Sequence, residues 1–211
     1  MLREDLPART VDLKAPAPQR LADLFTKVDD VWLEIGFGAG EHLIRQARHH
    51  PGIGFIGAEP YRDGVVKLLS SIEQNRLDNV LCHADDVRPL LRWLPAASLG
   101  RAFSLFPDPW PKKRQQKRRL VSGDTLALLA RVLRTGGELR IATDSGDYAQ
   151  AILRAAAYER NFSWQADGPR DWRNRLPDWP ATRYEQKAIS AGRRCYYLRF
   201  VRGPVGRVSE A

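Results

Sequence analysis

Residues 31–42 run VWLEIGFGAGEH, and the fold follows from this stretch. Val31–Ile35 is an apolar run without alternation, the pattern of a short strand buried on both faces. Glycines stand at 36, 38 and 40, where that strand must turn into a helix predicted from Gly40 to about His50. Outward from here the same unit recurs. Strands are expected over 52–59, 79–84, 101–106 and 138–143. Helical spacing of apolar residues marks 61–76, 87–94, a long segment through Leu126, Leu129, Ala130 and Leu133 that stops at Gly136-Gly137, and 148–158. Five alternations of strand and helix demand an α/β fold with a parallel sheet wrapped by helices on both faces. A further helix is expected at 18–28, with Leu21, Leu24, Phe25 and Val28 on one face. Residues 162–181 look irregular, 193–201 reads as a closing strand, and these last segments should be antiparallel additions at one edge. Residues 1–16, punctuated by proline, are expected to be a flexible N-terminal arm, and 17–211 a single domain.

Composition narrows the function classes. The 211 residues are 43% hydrophobic and 28% charged, with both signs abundant, which excludes a disordered chain. No stretch approaches the ~18 apolar residues of a membrane span, and MLREDLPART lacks the apolar core of a secretory signal. Cys82 and Cys195 are too few for a disulfide framework or a four-ligand zinc site, and the four histidines show no metal spacing. A soluble, cytoplasmic protein without a metal is the expectation. Charge is uneven: residues 1–100 carry 12 basic and 14 acidic side chains, residues 101–211 carry 22 and 11. Arginine dominates the basic half, which suits bidentate phosphate contacts and hence a polyanionic partner.

Carboxylates surround the glycine loop. In the dinucleotide fingerprint the glycines are spaced G-x-G-x-x-G; here Gly36, Gly38 and Gly40 are spaced G-x-G-x-G and Glu41 takes the last place. Glu34 stands two residues before the first glycine. Glu59 ends the second strand, where an acid can take two ribose hydroxyls. Asp85-Asp86 ends the third, where an acid can accept from an adenine amino group or cap the next helix. Such a rim repels a pyrophosphate. It suits a nucleoside with a cationic amino-acid tail, and S-adenosylmethionine is that ligand.

Phe106-Pro107-Asp108-Pro109-Trp110-Pro111 follows the fourth strand and should lie across the mouth of the same cleft. Three prolines in five positions fix the backbone and hold Asp108 in one place. KKRQQKRR comes next, at 112–119, with six basic residues in eight. Beside a reacting site such a run fits substrate phosphates better than mere solvation. Trp172 and Trp179, among prolines, are expected to pin an irregular segment to the sheet rather than to stack on bases.

The stretches EIGFGAG, FIGAE, NVLCHADD, FPDPWPKKRQQKRR, GGELRIATD and TRYE together resemble the bacterial tRNA (guanine-N7-)-methyltransferase family, from about residue 30 to residue 200. The most specific pieces are PDPWPKKR…KRR and Thr182-Arg183-Tyr184-Glu185, which answers to the family's T-[KR]-[FY]-E. The resemblance implies a Rossmann-like class I methyltransferase fold, mostly parallel and seven-stranded with the last strand antiparallel. It implies methyl donation from S-adenosylmethionine to a guanine in the tRNA variable loop, without a metal or an obligate protein partner. Carried over position by position, it puts Glu34, Glu59, Asp86 and Asp108 on the cofactor side, with Asp108 also catalytic. Lys112, Asp144 and Thr182–Glu185 fall on the substrate side. Two rivals keep parts of the pattern. A small-molecule methyltransferase would not need the basic run, and a non-catalytic RNA-binding protein would leave the acidic rim idle.

Overall fold

The computed structural model describes residues 9–204. Seven strands form one sheet: β1 (Asp30–Ile35), β2 (Ile53–Ala58), β3 (Val80–His83), β4 (Leu99–Leu105), β5 (Leu133–Thr143), β6 (Phe162–Trp164) and β7 (Tyr196–Arg202). Their order is β3-β2-β1-β4-β5-β7-β6. The first five pair in parallel, whereas β7 runs antiparallel to both β5 and β6. The strand order reverses between β1 and β4. The carboxyl ends of these strands therefore open onto the crevice that doubly wound sheets use for ligands.

The α-helices are α1 (Glu41–His49), α2 (Arg62–Asn75), α3 (Val87–Trp93), α4 (Gly123–Val132), α5 (Gly146–Tyr158), α6 (Pro169–Arg173) and α7 (Arg183–Ser190), and a 3-10 helix covers Lys113–Arg118. Strand residues alternate faces, so the sheet feeds two cores. Leu33, Ile35, Ile56, Ala102 and Ile141 pack with Leu90, Leu126, Leu129 and Ile152 of α3, α4 and α5. Trp32, Phe55 and Phe103 pack on the other face with Leu43, Val65 and Leu68 of α1 and α2, and with Trp179, Ala188 and Tyr197. The second face is thus covered partly by helices and partly by the segment leading into α7.

Three local expectations are corrected. Residues 18–28 form a single 3-10 turn at Leu21–Leu24, not a helix; no side chain caps its start, and Phe25 returns to extended backbone. The helix through Leu126 stops at Val132, and Leu133 already pairs with Leu99 of β4. Gly136, with φ +79, lies in the irregularity between this pair and Arg101↔Glu138, so the glycines mark a bulge within β5. The arm is partly docked: Val11 N donates to Cys82 O at 3.0 Å and Cys82 N to Arg9 O at 2.8 Å, which adds residues 9–11 to the free edge of β3. Residues 1–8 of that arm lie outside the described residues.

Candidate functional site

The glycine loop is held open by its backbone and by one acid. Gly36, Gly38 and Gly40 have φ of +73, +57 and +79, the left-handed region that side chains disfavour. Gly38 N donates to Glu59 Oε2 and Tyr61 N donates to Glu59 Oε1, both at 2.9 Å. Glu59 is 8% exposed. It clamps the loop to the start of α2 and keeps lone pairs for a ligand, since a carboxylate has about four acceptor sites. Helix α2 approaches closely because Gly64 has no side chain; a Cβ there would stand 2.3 Å from Gly38 O. No side chain caps α1 behind Gly40.

Above the switch point lies a cleft of about 520 Å³, walled by Gly36, Glu59, Asp86, Asp108, Trp110 and Tyr184 among others. That size falls within the roughly 300–1,000 Å³ of small-molecule sites. A second, smaller cleft of about 240 Å³ opens beside it and takes in Glu34, Glu41, His42, Thr182, Arg183 and Tyr184. Of the carboxylates expected around a nucleoside ligand, Glu59, Asp86 and Asp108 line the larger opening, whereas Glu34 and Glu41 line the smaller one. Glu34 is buried and its Oε2 lies 2.7 Å from His42 Nδ1; His42 Nε2 is 3.3 Å from Gln46 Nε2, which also reaches Asp178 O at 3.2 Å. The sequence carries no local sign of this chain of bonds, because Glu34 and His42 stand on opposite sides of the loop.

Asp86 caps α3. Its Oδ1 accepts from Arg88 N at 2.7 Å and its Oδ2 from Arg88 Nη1 at 2.5 Å, while Asp85 Oδ1 accepts from Asp86 N. Asp86 thus caps the helix and also lines the cleft.

Asp108 is exposed at the cleft mouth, and among the described residues no hydrogen bond or ion pair engages its carboxylate. Its backbone is fixed from several directions. Phe106 and Trp110 hold φ of +54 and +42, strained values costing of order 1–3 kcal/mol that persist only where the surroundings over-determine them. Phe106 N donates to Ala142 O at 2.7 Å. Arg119 Nε donates to Pro109 O at 2.8 Å, and the same guanidinium pairs with Asp147 and lies 4.8 Å from the Tyr148 ring centre. Burial pushes the Tyr148 phenol up to about 12, and its oxygen accepts from Val121 N. Arg119 is 6% exposed. It belongs to the scaffold of the proline loop and not to the exposed cations of the basic run, which are Lys112, Lys113, Arg114, Lys117 and Arg118.

Thr182–Glu185 forms the start of α7, a helix absent from the sequence reading. Thr182 Oγ1 accepts from Glu185 N at 3.1 Å and Glu185 Oε2 accepts from Thr182 N at 3.3 Å, a reciprocal capping box. T-x-x-E is itself the sequence signature of that box, so the helix start is legible in the same four residues. Glu185 is 4% exposed, and its Oε1 accepts from Tyr197 Oη at 2.5 Å and Arg175 Nε at 3.0 Å. Burial and this bond push the Tyr197 phenol well up. Glu185 thus faces the protein and holds its neighbours in place. Arg183 pairs with Glu41 at 2.6 Å, and Tyr184 stands exposed between the two clefts. Asp144, beyond β5, accepts from Arg193 Nε at 2.7 Å.

The segment before α7 is bolted down by charge. Arg140 reaches Asp178 at 2.9 Å and Glu138 at 2.8 Å, Arg101 reaches Glu138 at 3.1 Å, and Arg199 donates to Glu138 as well. Trp179, 2% exposed, packs edge-on against Tyr197 at 5.7 Å between centroids, so it pins the segment as expected. Trp172 lies 5.2 Å from Trp164. Cys82 is fully buried, and burial pushes its thiol up. Among the described residues no cluster of three metal-ligating side chains occurs, and no helix is long and apolar enough to cross a membrane.

A family model described as "Putative methyltransferase" matches residues 29–198. The tRNA (guanine-N(7)-)-methyltransferase of Roseobacter denitrificans is 52% identical over 172 residues, covering 82% of this chain and 73% of that protein. Among solved structures, an antibiotic-related methyltransferase superposes with a TM-score of 0.61 at 15% identity, covering 94% of this chain and 98% of that one. Phosphoethanolamine N-methyltransferase 2 of Haemonchus contortus, in complex with S-adenosyl-L-methionine, superposes at 0.54 with 13% identity, covering 85% of this chain and 50% of that one. At these identities the two structural likenesses establish the fold, a class I methyltransferase sheet.

Proposed function

The chain belongs to the tRNA (guanine-N(7)-)-methyltransferase family and is an enzyme of that kind, and on that premise we propose how its residues divide the work. The acceptor is N7 of a guanine in the tRNA variable loop, and the compartment is the cytoplasm. S-adenosylmethionine supplies the activated methyl group on its sulfonium. The acidic rim supports this donor: Glu59 keeps acceptor sites for ribose hydroxyls and Asp86 for an adenine amino group, while Gly36 leaves open space above the loop, with no atom within 4 Å of where a Cβ would stand.

Guanine N7 carries a lone pair and no proton, so no general base is needed. What the protein must supply is alignment and an answer to the positive charge that develops on the purine. The observation that carries the reading is Asp108: a carboxylate with no hydrogen-bond or ion-pair partner among the described residues, on a backbone fixed by Pro107, Pro109 and the Arg119–Pro109 bond, at the mouth of the cleft. A charge held ready in this way costs no reorganisation in the transition state. Asp108 accepts from guanine N1–H and the exocyclic amino group, a pair of donors adenine does not offer. Lys112 and the exposed cations after it hold tRNA phosphates. Tyr184 and Arg183 border the base side, Asp144 acts on the substrate side while it accepts from Arg193, and Thr182 and Glu185 position Tyr184 through the capping box.

The test is transfer of a labelled methyl group from S-adenosylmethionine to unmodified tRNA, followed by nucleoside analysis. N7-methylguanosine is the expected product. A different methylated nucleoside would overturn the acceptor assignment. Cofactor binding without transfer to any RNA would overturn the substrate.

A further inference from the structure

A cleft of about 500 Å³ lies on the flank of the proline loop, between α3 and the start of α4. Its lining holds five basic side chains, Arg88, Arg92, Lys117, Arg118 and Arg119, against one acid, Asp124. Three of these belong to the basic run, but Arg88 and Arg92 come from another part of the sequence. They lie four residues apart on α3 and so share one face of that helix.

The five cations are not equivalent. Arg119 is buried and committed to Pro109 and Asp147. Arg118 lies with its guanidinium 5.0 Å from the Trp110 ring centre, a stacking contact that leaves its N–H groups open at the edge. Arg88 gives one N–H to Asp86 and keeps the others. Arg92 and Lys117 are exposed, and among the described residues neither side chain has a hydrogen-bond or ion-pair partner. Arg131, the other arginine near α3, donates to the Leu91, Arg92 and Leu94 carbonyls, which satisfies the helix C-terminus and does not neutralise the cleft.

Cations gathered at this density repel one another unless anions answer them; Asp86 answers Arg88 and Asp147 answers Arg119, whereas among the described residues no ion pair engages Arg92, Lys117 or Arg118. We propose that Arg88 and Arg92 of α3, with Lys117 and Arg118, form a second phosphate-binding cleft that carries the tRNA backbone past the flank of the catalytic loop. The inference rests on tRNA being the substrate and adds to it the direction in which the RNA leaves the site. The basic run begins at Lys112, four residues after Asp108, and its Arg118, stacked on Trp110, lines both the larger cleft and this one. Because Asp86 Oδ2 holds Arg88, the acid expected at the adenine also orients the first cation of the RNA track.

The experiment measures tRNA affinity as a function of salt for the wild type, for Arg92→Ala, for Arg92→Glu and for Lys112→Ala/Lys113→Ala/Arg114→Ala. S-adenosylmethionine affinity and thermal unfolding are recorded in parallel to show that the fold and the donor site persist. Arg92→Glu should weaken tRNA binding roughly tenfold at ~0.1 M salt, and Arg92→Ala should lower the log–log salt slope by about one. Both effects should appear with donor affinity unchanged. If the triple variant binds tRNA less tightly but both Arg92 variants keep wild-type affinity and slope, the second cleft is overturned while the substrate stands. If the wild type itself fails to bind tRNA, the substrate assignment falls and this inference with it.

Discussion

The ring of Tyr184 lies against Gly38: a Cβ built on that glycine would stand 3.4 Å from Tyr184 Cε2. The motif expected to serve the substrate therefore touches the loop expected to serve the donor. Both clefts include Tyr184 and Gly38, so the ring is the partition between them. Its position depends on the capping box beneath it and on a glycine that offers no side chain to collide with.

Removing the partition should loosen both ligands without loosening the fold. Tyr184 is 60% exposed and contributes little to the core. Tyr184→Ala is expected to raise the dissociation constant for S-adenosylmethionine and the KM for tRNA, each by roughly 5- to 20-fold, the loss of about 1–2 kcal/mol of aromatic contact. Calorimetry and steady-state kinetics read the two values, and thermal unfolding should stay within about 2 °C of wild type. Normal affinity for both ligands would remove Tyr184 from the site.

Glu185 should behave as a structural residue despite lying in a substrate-like motif. Glu185→Ala removes the capping box, worth about 1 kcal/mol, and strips the buried Tyr197 hydroxyl of its acceptor, worth roughly 1–3 kcal/mol. The melting temperature should fall by roughly 5–15 °C. Glu185→Gln has one amide oxygen, so it keeps an acceptor for either Thr182 N or Tyr197 Oη and not both, and should recover part of that loss. Two variants that melt with wild type but lose activity would return Glu185 to the substrate side.

The strands from 31 to 106 were legible because buried parallel strands appear as continuous apolar runs, and the helices between them because one face is apolar at helical spacing. The misreadings have a common cause. Leu21 and Val28 are buried, yet burial here comes from a coil laid on the sheet and not from a helical face. Leu133 is buried whether it ends a helix or begins a strand, so periodicity did not mark the boundary. Two acids expected at strand ends, Glu59 and Asp86, do line the larger cleft. The partners of other acids were not legible: His42 meets Glu34 across the glycine loop, and Asp178 meets Arg140 only through the tertiary fold.

That last contact predicts a pH dependence. Burial by itself raises the Asp178 carboxyl, but the hydrogen bond and charge of Arg140 and the charge of Arg101 outweigh it and hold it below its ordinary range. Glu138 is likewise lowered against burial, by Arg140, Arg101 and Arg199. Both groups stay ionised in the folded chain where the unfolded chain takes up protons. Their stabilisation is therefore complete above pH ~4.5 and is lost as pH falls through their depressed folded values. Urea midpoints at pH ~6 and ~3.5 should drop further for wild type than for Asp178→Asn. Equal drops would show that the ionic anchoring of this segment contributes nothing.

The central claim is that a carboxylate fixed at position 108 stabilises the charge that methyl transfer places on guanine. Its most direct test is single-turnover methyl transfer to tRNA, with both substrates saturating, for wild type and Asp108→Asn. Among the described residues the substitution touches no hydrogen bond or ion pair, so folding should be unchanged. S-adenosylmethionine affinity should stay within about twofold, while the rate of N7-methylguanosine formation should fall by roughly 100-fold or more, the scale of losing one preorganised electrostatic group. An asparagine variant that transfers methyl at the wild-type rate would contradict the account.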